Sequence, residues 1–254
     1  MKCNLFSNLS QNDNNSCGTQ KKCCKKSLIC VTLMIVIPVT ISSILFCFQA
    51  KRYIMKNPKI IIESIENMYK EEQQKTKDMA AKKIPEIYNN ILSNADLPFI
   101  GNKNGSKVVV EFFDYTCFYC KKQISEFKKL IAKSKDVKII TVDFPVMSAN
   151  SVIVSQVSLY IYQNYQSKFD DFYFNSVNLK SGSVEEIKAM LTKLNIPLNV
   201  IEKAQKDEKV KSMIQKNYEN GKSLSLPGTP GIMINGKLIP GFVDYESLIK
   251  ELGL

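Results

Sequence analysis

The sequence predicts an α/β fold in residues 107–254, with a helical subdomain inserted into it. Residues 107–113 and 137–144 are rich in β-branched and aromatic residues, which is typical of buried strands. The segment between them has apolar residues at helical spacing, so the two strands are expected to be parallel. Residues 148–221 keep a helical period throughout. That block is too long for one crossover helix and indicates an insertion.

Ahead of this domain, residues 27–50 contain no charged side chain. At about 1.5 Å per residue this length crosses a hydrocarbon core of about 30 Å, so the sequence predicts a transmembrane signal anchor. The alternative is a cleaved signal peptide and a soluble periplasmic protein, but such peptides normally have a shorter apolar core. Residues 1–26 are then expected to form a basic cytosolic tail, with the remainder outside the membrane.

Residues 53–100 are predicted to form an N-terminal helical segment. Two amphipathic stretches lie in it, one after Asn57 and one around residues 84–92. Neither has enough apolar surface to fold alone, so each must pack on the main domain or on another chain. Packing against the same stripe in other copies would make a homo-oligomer. The apolar positions are Ile61, Ile65 and Met68 in the first stretch and Ile84, Ile87 and Ile91 in the second.

Beyond the insertion, a hairpin and a short helix complete the predicted domain. Strands are expected at residues 231–234 and 237–239, because Asn235-Gly236 between them is typical of a tight hairpin turn. A terminal helix is expected from Asp244. Within the insertion, Ser183 followed by Glu186 predicts a capping box at the start of one helix.

Cys117 and Cys120 are the only cysteines beyond residue 47, although the chain has eight. They lie where the strand at residues 107–113 passes into a helix. Residues three apart share one face of a helix, and the unpaired N–H groups of its first turn stabilise a thiolate. The sequence therefore predicts Cys117 as the nucleophile and Cys120 as the resolving thiol. An oxidising compartment suits such an isolated pair.

The chain contains no histidine, which argues against zinc sites and against catalytic triads as its function. A structural zinc site needs four ligands, mostly Cys and His, and this part of the chain offers only two thiols. Catalytic triads containing His are excluded for the chain alone. The net charge of +11 is mostly lysine spread along polar helix faces, which favours a solvated surface over a nucleic-acid site. We expect neither a metal nor a cofactor.

Residues 111–120, the helical insertion and Gly228-Thr229-Pro230-Gly231 together resemble the DsbA family of thiol-disulfide oxidoreductases, in its surface-antigen and ScsC-like branch. The resemblance implies a thioredoxin-like fold. It also implies that Pro230 is a cis-proline facing the thiol pair and that Glu111 moves protons at the buried cysteine. Thr229 would then present its backbone to an extended substrate segment.

The resemblance further implies a protein of the bacterial cell envelope. Together with the predicted anchor, this gives a catalytic domain in the periplasm, held at the inner membrane. Its substrates would be exported cysteine-containing proteins, and a membrane protein would be its redox partner. Phe118 and Tyr119, between the cysteines, are predicted to contact substrate, and this dipeptide leaves oxidase, isomerase and reductase activity open. Two other hypotheses are a surface-exposed binding or antigenic protein on a redox fold, and a dithiol protein that handles Cu(I).

Overall fold

The computed structural model describes the backbone of residues 19–254, and the side chains of residue 34 and of residues 36–254. Most of the predicted cytosolic tail, up to residue 18, lies outside the described residues. The chain divides into two compact units, one ending at Glu71 and the other beginning at Glu72.

The first unit consists of helix α1 (Thr19–Lys56) and the beginning of helix α2 (Pro58–Ser93). The predicted membrane span at residues 27–50 falls within α1, where part of it lacks described side chains. Within the portion of the chain that the structure describes, no helix is both long and apolar enough to cross a membrane. The anchor therefore stays a prediction.

Helix α2 is continuous, where the sequence suggested two separate helical stretches. The charged residues between the two apolar stretches are good helix formers, so nothing there ends the helix. Ile65 in the first stretch is 43% exposed. Ile87 and Ile91 in the second are buried against the sheet of the same chain. The second apolar stretch, which was considered for assembly with other copies, is therefore already packed within the same chain.

The second unit is built on one five-stranded sheet in the order β1-β3-β2-β4-β5. Strand β2 pairs parallel to β3 and antiparallel to β4, and β1 and β5 form the antiparallel edges. The strands are β1 (Phe99–Gly101), β2 (Lys107–Phe113), β3 (Val137–Asp143), β4 (Gly231–Ile234) and β5 (Lys237–Pro240). The sequence analysis missed β1, because three residues are too short to show a two-residue period.

The remaining helices complete the predicted α/β architecture. Asn235 and Gly236, between β4 and β5, have φ values of 52° and 76°, as the predicted hairpin turn requires. The capping box of Ser183 and Glu186 is also present. The helices are α3 (Phe118–Lys133), α4 (Ala149–Asn164), α5 (Phe169–Asn175), α6 (Val184–Lys193), α7 (Val200–Lys206), α8 (Glu208–Ser223) and α9 (Tyr245–Leu252).

Two apolar clusters cover the two faces of the sheet. Val109 and Phe113 of β2 belong to one cluster, which also contains Cys117 and Cys120. Val110 and Phe112 belong to the other. Since successive side chains of a strand point to opposite faces, residue 111 lies on the face that carries the two cysteines.

Candidate active site

Cys117 is the residue that immediately precedes α3, and its backbone is extended with φ −73° and ψ 126°. Its N–H donates to the carbonyl oxygen of Asp114 at 3.1 Å. Its Sγ lies 3.2 Å from the carbonyl oxygen of Thr229. Cys117 and Cys120 are both buried and both free, so the structure represents the dithiol form. The sulfur of Cys117 therefore lies at the start of α3 and against the loop before β4.

The two thiols differ sharply in acidity. A hydrogen bond from Cys120 is the main reason why the pKa of Cys117 falls from 9.0 to about 5. The Thr229 side chain and the N–H groups of Cys120 and Tyr119 lower this pKa further, against the opposing effect of burial. Burial raises the pKa of Cys120 well above its ordinary value. At neutral pH the pair therefore consists of a Cys117 thiolate and a Cys120 thiol that donates to it.

The peptide bond between Thr229 and Pro230 is cis, as the resemblance implied. The Pro230 carbonyl accepts a hydrogen bond from Gly241 at 2.8 Å. The loop after Gly241 is held to α3 by Gln123, whose buried amide donates to the carbonyl of Val243 at 2.9 Å and accepts from its N–H at 2.8 Å. These bonds hold the Pro230 loop and the thiol-bearing helix together.

Glu111 lies behind the thiol pair and has no exposed surface. Tyr173 donates to its Oε2 at 2.7 Å, while its Oε1 has no hydrogen-bond partner. Burial raises the pKa of Glu111 to about 8, against the lowering effect of Tyr173, and the charges of Cys117 and Asp143 raise it further. A carboxyl that titrates near neutral pH can both accept and return a proton there.

Phe118 and Tyr119 are exposed at the first turn of α3, at 64% and 55%. Their rings meet edge to face with centroids 5.5 Å apart. The ammonium group of Lys122 lies 5.1 Å from the Phe118 ring centroid and 5.8 Å from that of Tyr119. The dipeptide thus presents an apolar surface with a positive charge beside the buried Cys117.

Three polar residues of this region were missed by the sequence analysis. Asp143 and Tyr173 are fully buried near Glu111, and no local pattern indicates this. Asp114 is also buried, and its carboxylate accepts from the N–H and hydroxyl of Thr116 at 2.7 and 2.8 Å. It also accepts from the N–H groups of residues 146 and 147 at 2.9 and 3.0 Å. Aspartate two residues before threonine is typical of an Asx turn, which could have been recognised.

The described residues contain no group of three or more His, Cys, Asp or Glu side chains placed to hold a metal ion. The polar groups of the site are two thiols of opposite acidity and a buried carboxyl, beside a loop with a cis-proline. This arrangement can exchange a disulfide, because the thiolate attacks and the thiol resolves.

The thioredoxin family model matches residues 93–252. The probable disulfide bond formation protein D of Bacillus anthracis is 23% identical over 165 residues, covering 60% of this chain and 75% of the relative. Disulfide bond formation protein D of Bacillus subtilis is 26% identical over 167 residues, covering 61% and 74%.

Among solved structures, the thiol-disulfide exchange protein alpha-DsbA2 of Wolbachia pipientis is 27% identical with a TM-score of 0.63, covering 70% of this chain and 96% of the relative. The catalytic domain of Proteus mirabilis ScsC shares the fold at 24% identity and a TM-score of 0.61, covering 68% and 99%. With more than half of its length matched by the family and a thiol pair of this geometry, the chain belongs to the thioredoxin family, as a DsbA-family thiol-disulfide oxidoreductase.

Proposed function

We propose that this oxidoreductase forms or isomerises disulfides in exported proteins through Cys117 and Cys120. The observation that carries the proposal is the opposite acidity of two thiols on one helical turn, a pKa of about 5 for Cys117 and a strongly raised one for Cys120. A low-pKa thiol is both an available nucleophile and a good leaving group in exchange.

In the oxidising direction, a substrate thiolate attacks Cys117 of the disulfide form, and the bond between Cys117 and Cys120 breaks. A second substrate thiolate then attacks the mixed disulfide, so the substrate gains one disulfide and the pair is reduced to the dithiol. In isomerisation the Cys117 thiolate attacks a substrate disulfide and is later released by another substrate thiol. Regeneration of the disulfide form requires an acceptor, which we assign to a membrane redox partner.

The surroundings of Cys117 fit an extended polypeptide substrate. The carbonyl of Thr229 lies 3.2 Å from the sulfur, so a strand paired with the backbone of Thr229 would bring its own cysteine to Cys117. Phe118 and Tyr119 offer apolar contact to the flanking substrate residues. Glu111 would take the proton from Cys120 when this thiol attacks.

We further propose that residues 27–50 anchor the protein in the cytoplasmic membrane, with the catalytic unit on its outer side. The segment has no charge, and large apolar side chains described in it are exposed, including Met34 at 78% and Phe46 at 70%. A lipid environment would remove these side chains from water. The names of the Bacillus relatives agree with action on disulfides.

The first test is to trap the mixed disulfide with a Cys120→Ser variant of the full chain. Without the resolving thiol, Cys117 should remain bound to exported proteins in adducts that a reductant releases. The matched control, Cys117→Ser with Cys120→Ser, should lose these adducts, and any that remain come from the six cysteines at or before residue 47. If Cys120→Ser yields no adduct linked through Cys117, the proposed function is wrong. Equilibration in glutathione buffers then separates an oxidase, near about −120 mV, from a reductase, near about −270 mV.

A further inference from the structure

Asp143 is a second buried carboxyl behind the thiol pair. It ends β3, has no exposed surface and lies opposite Phe113 in the parallel register. Glu111 precedes Phe113 by two residues, and residues two apart in a strand share a face. Asp143 and Glu111 therefore lie diagonally to each other on the face of the sheet that carries the cysteines, and the charge of Asp143 raises the pKa of Glu111.

Three of the four oxygens of these two carboxyls make no hydrogen bond. They are both oxygens of Asp143 and Oε1 of Glu111. The hydroxyl of Ser155 on α4 faces Asp143 and lowers its pKa, but the two side chains do not meet hydrogen-bond geometry. Buried polar groups are nearly always paired, and a buried carboxyl that lacks a partner takes up a proton rather than hold a charge. Burial without hydrogen-bond partners therefore favours the protonated form of both carboxyls in the folded protein.

The groups that face the two carboxyls are acidic or neutral. Asp114 acts on Asp143 from the end of β2, and Tyr115 lies close to both carboxyls with its hydroxyl paired to Ser158. On the Glu111 side the neighbours are the two cysteines and Tyr173. None of these groups is basic. Burial raises the pKa of Asp143, like that of Glu111, to about 8.

We propose that Asp143 is a positioning residue of the redox site, whose charge sets the pH at which Glu111 accepts the proton of Cys120. This inference rests on the proposed function. Two carboxylates buried on one face repel each other, so an ionised Asp143 makes the ionisation of Glu111 harder. When Asp143 holds its proton, Glu111 is free to be the anion.

The step is balanced within the site and the substrate. Cys120 attacks Cys117 in the mixed disulfide, and the bond between Cys117 and the substrate breaks as the bond between the two cysteines forms. The substrate leaves as a thiolate, and the proton of Cys120 passes to the Glu111 carboxylate. Asp143 touches neither sulfur and acts only through the charge of Glu111.

The test measures how the resolution step depends on pH, using the full chain reduced and mixed with excess oxidised glutathione. Attack by Cys117 scales with glutathione concentration, whereas resolution by Cys120 does not, so the two phases separate. In the unmodified protein the resolution rate should show an inflection near the pKa of Glu111, about 8. Asp143→Asn removes the repulsion and should move this inflection down by about one pH unit.

Two further variants identify the route of the effect. Glu111→Gln should slow resolution and abolish the inflection, and adding Asp143→Asn to it should change nothing more, because Asp143 acts through Glu111. Asp136→Asn, the same substitution at an exposed position before the other end of β3, should leave the inflection in place. Alkylation of Cys117 should keep its pH profile in Asp143→Asn, since Asp143 is not among the groups that act on this thiol.

An inflection that stays in place in Asp143→Asn, with the Cys117 profile intact, would overturn the inference. A resolution rate that Asp143→Asn lowers equally at every pH would also overturn it, because that result indicates a structural role. If Asp143→Asn does not fold, infrared difference spectra recorded on oxidation of the thiols decide. The unmodified protein should show two protonated carboxyl bands that change, and Glu111→Gln should show neither, because Asp143 responds only to the charge of Glu111. A single changing band in the unmodified protein refutes the inference. Failure of the unmodified protein to react with glutathione would instead contradict the proposed function.

Discussion

The hydrogen bond from Cys120 to Cys117 can be tested by removing its donor in two steps. It is the largest contribution to the fall of the Cys117 pKa from 9.0 to about 5. At 1.36 kcal/mol per pKa unit, this fall corresponds to roughly 5 kcal/mol of thiolate stabilisation. Cys120→Ala removes the donor and should raise the pKa of Cys117 by at least about one unit. Cys120→Ser keeps a hydroxyl donor and should raise it less.

The assay is the rate of alkylation of Cys117 as a function of pH. The chain has six other cysteines at or before residue 47, so modification must be followed on the peptide that contains Cys117 by mass spectrometry. The midpoint should rise from the unmodified protein to Cys120→Ser and again to Cys120→Ala. Equal midpoints in all three proteins would refute this reasoning and assign the thiolate to the Thr229 side chain and the N–H groups of α3.

Three further predictions concern stability. Glu111→Gln should raise the free energy of unfolding at pH 7 by roughly 1–3 kcal/mol. In the folded state Glu111 keeps its proton up to about pH 8, whereas the unfolded chain releases it above about pH 4.5. The stability of the unmodified protein therefore falls as the pH rises between these two values. Denaturant titrations at pH 5 and pH 8 check this, and a variant no more stable at pH 8 contradicts it. Asp114→Ala should lower the free energy of unfolding by about 3–5 kcal/mol in the same assay, because it leaves buried N–H donors of two loops without acceptors. A decrease of less than about 1 kcal/mol would show that water replaces the carboxylate. Ile91→Ala should destabilise the protein by about 2–5 kcal/mol and Ile65→Ala by much less, because only Ile91 is buried in the same chain; if sedimentation shows an oligomer that Ile65→Ala dissociates, the first stretch of α2 is an assembly surface after all.

Local patterns were enough to predict the main elements of the catalytic unit. The role of Glu111 was implied by the family resemblance, and the structure then placed its side chain on the face of β2 that carries the thiols. The position of Cys117 at a helix start follows from the apolar spacing after residue 121. Ser183 and Glu186 were enough to predict a helix start, because a capping box is a contact between near neighbours in the chain.

Elements that depend on distant partners were not predictable in this way. Strand β1 forms because residues 99–101 pair with β3, which lies about 40 residues later in the chain; Phe99, for example, pairs with Ile140. Whether Ile87 and Ile91 would face another copy or the sheet could not be read from an amphipathic stripe, since the stripe shows only that one face must be covered.

The sequence by itself determined which residues could do the chemistry, because a Cys-x-x-Cys pair at a strand-to-helix turn needs only local geometry. Only the tertiary structure decided which groups surround the thiols and hold their protons. The hydrogen bond from Cys120 to Cys117 joins residues of one helical turn, whereas the proton-holding groups Glu111 and Asp143 come from two different strands. Burial by α4 and α5 then raises the pKa of these carboxyls, and burial is a property of the packed chain that no local run of residues contains.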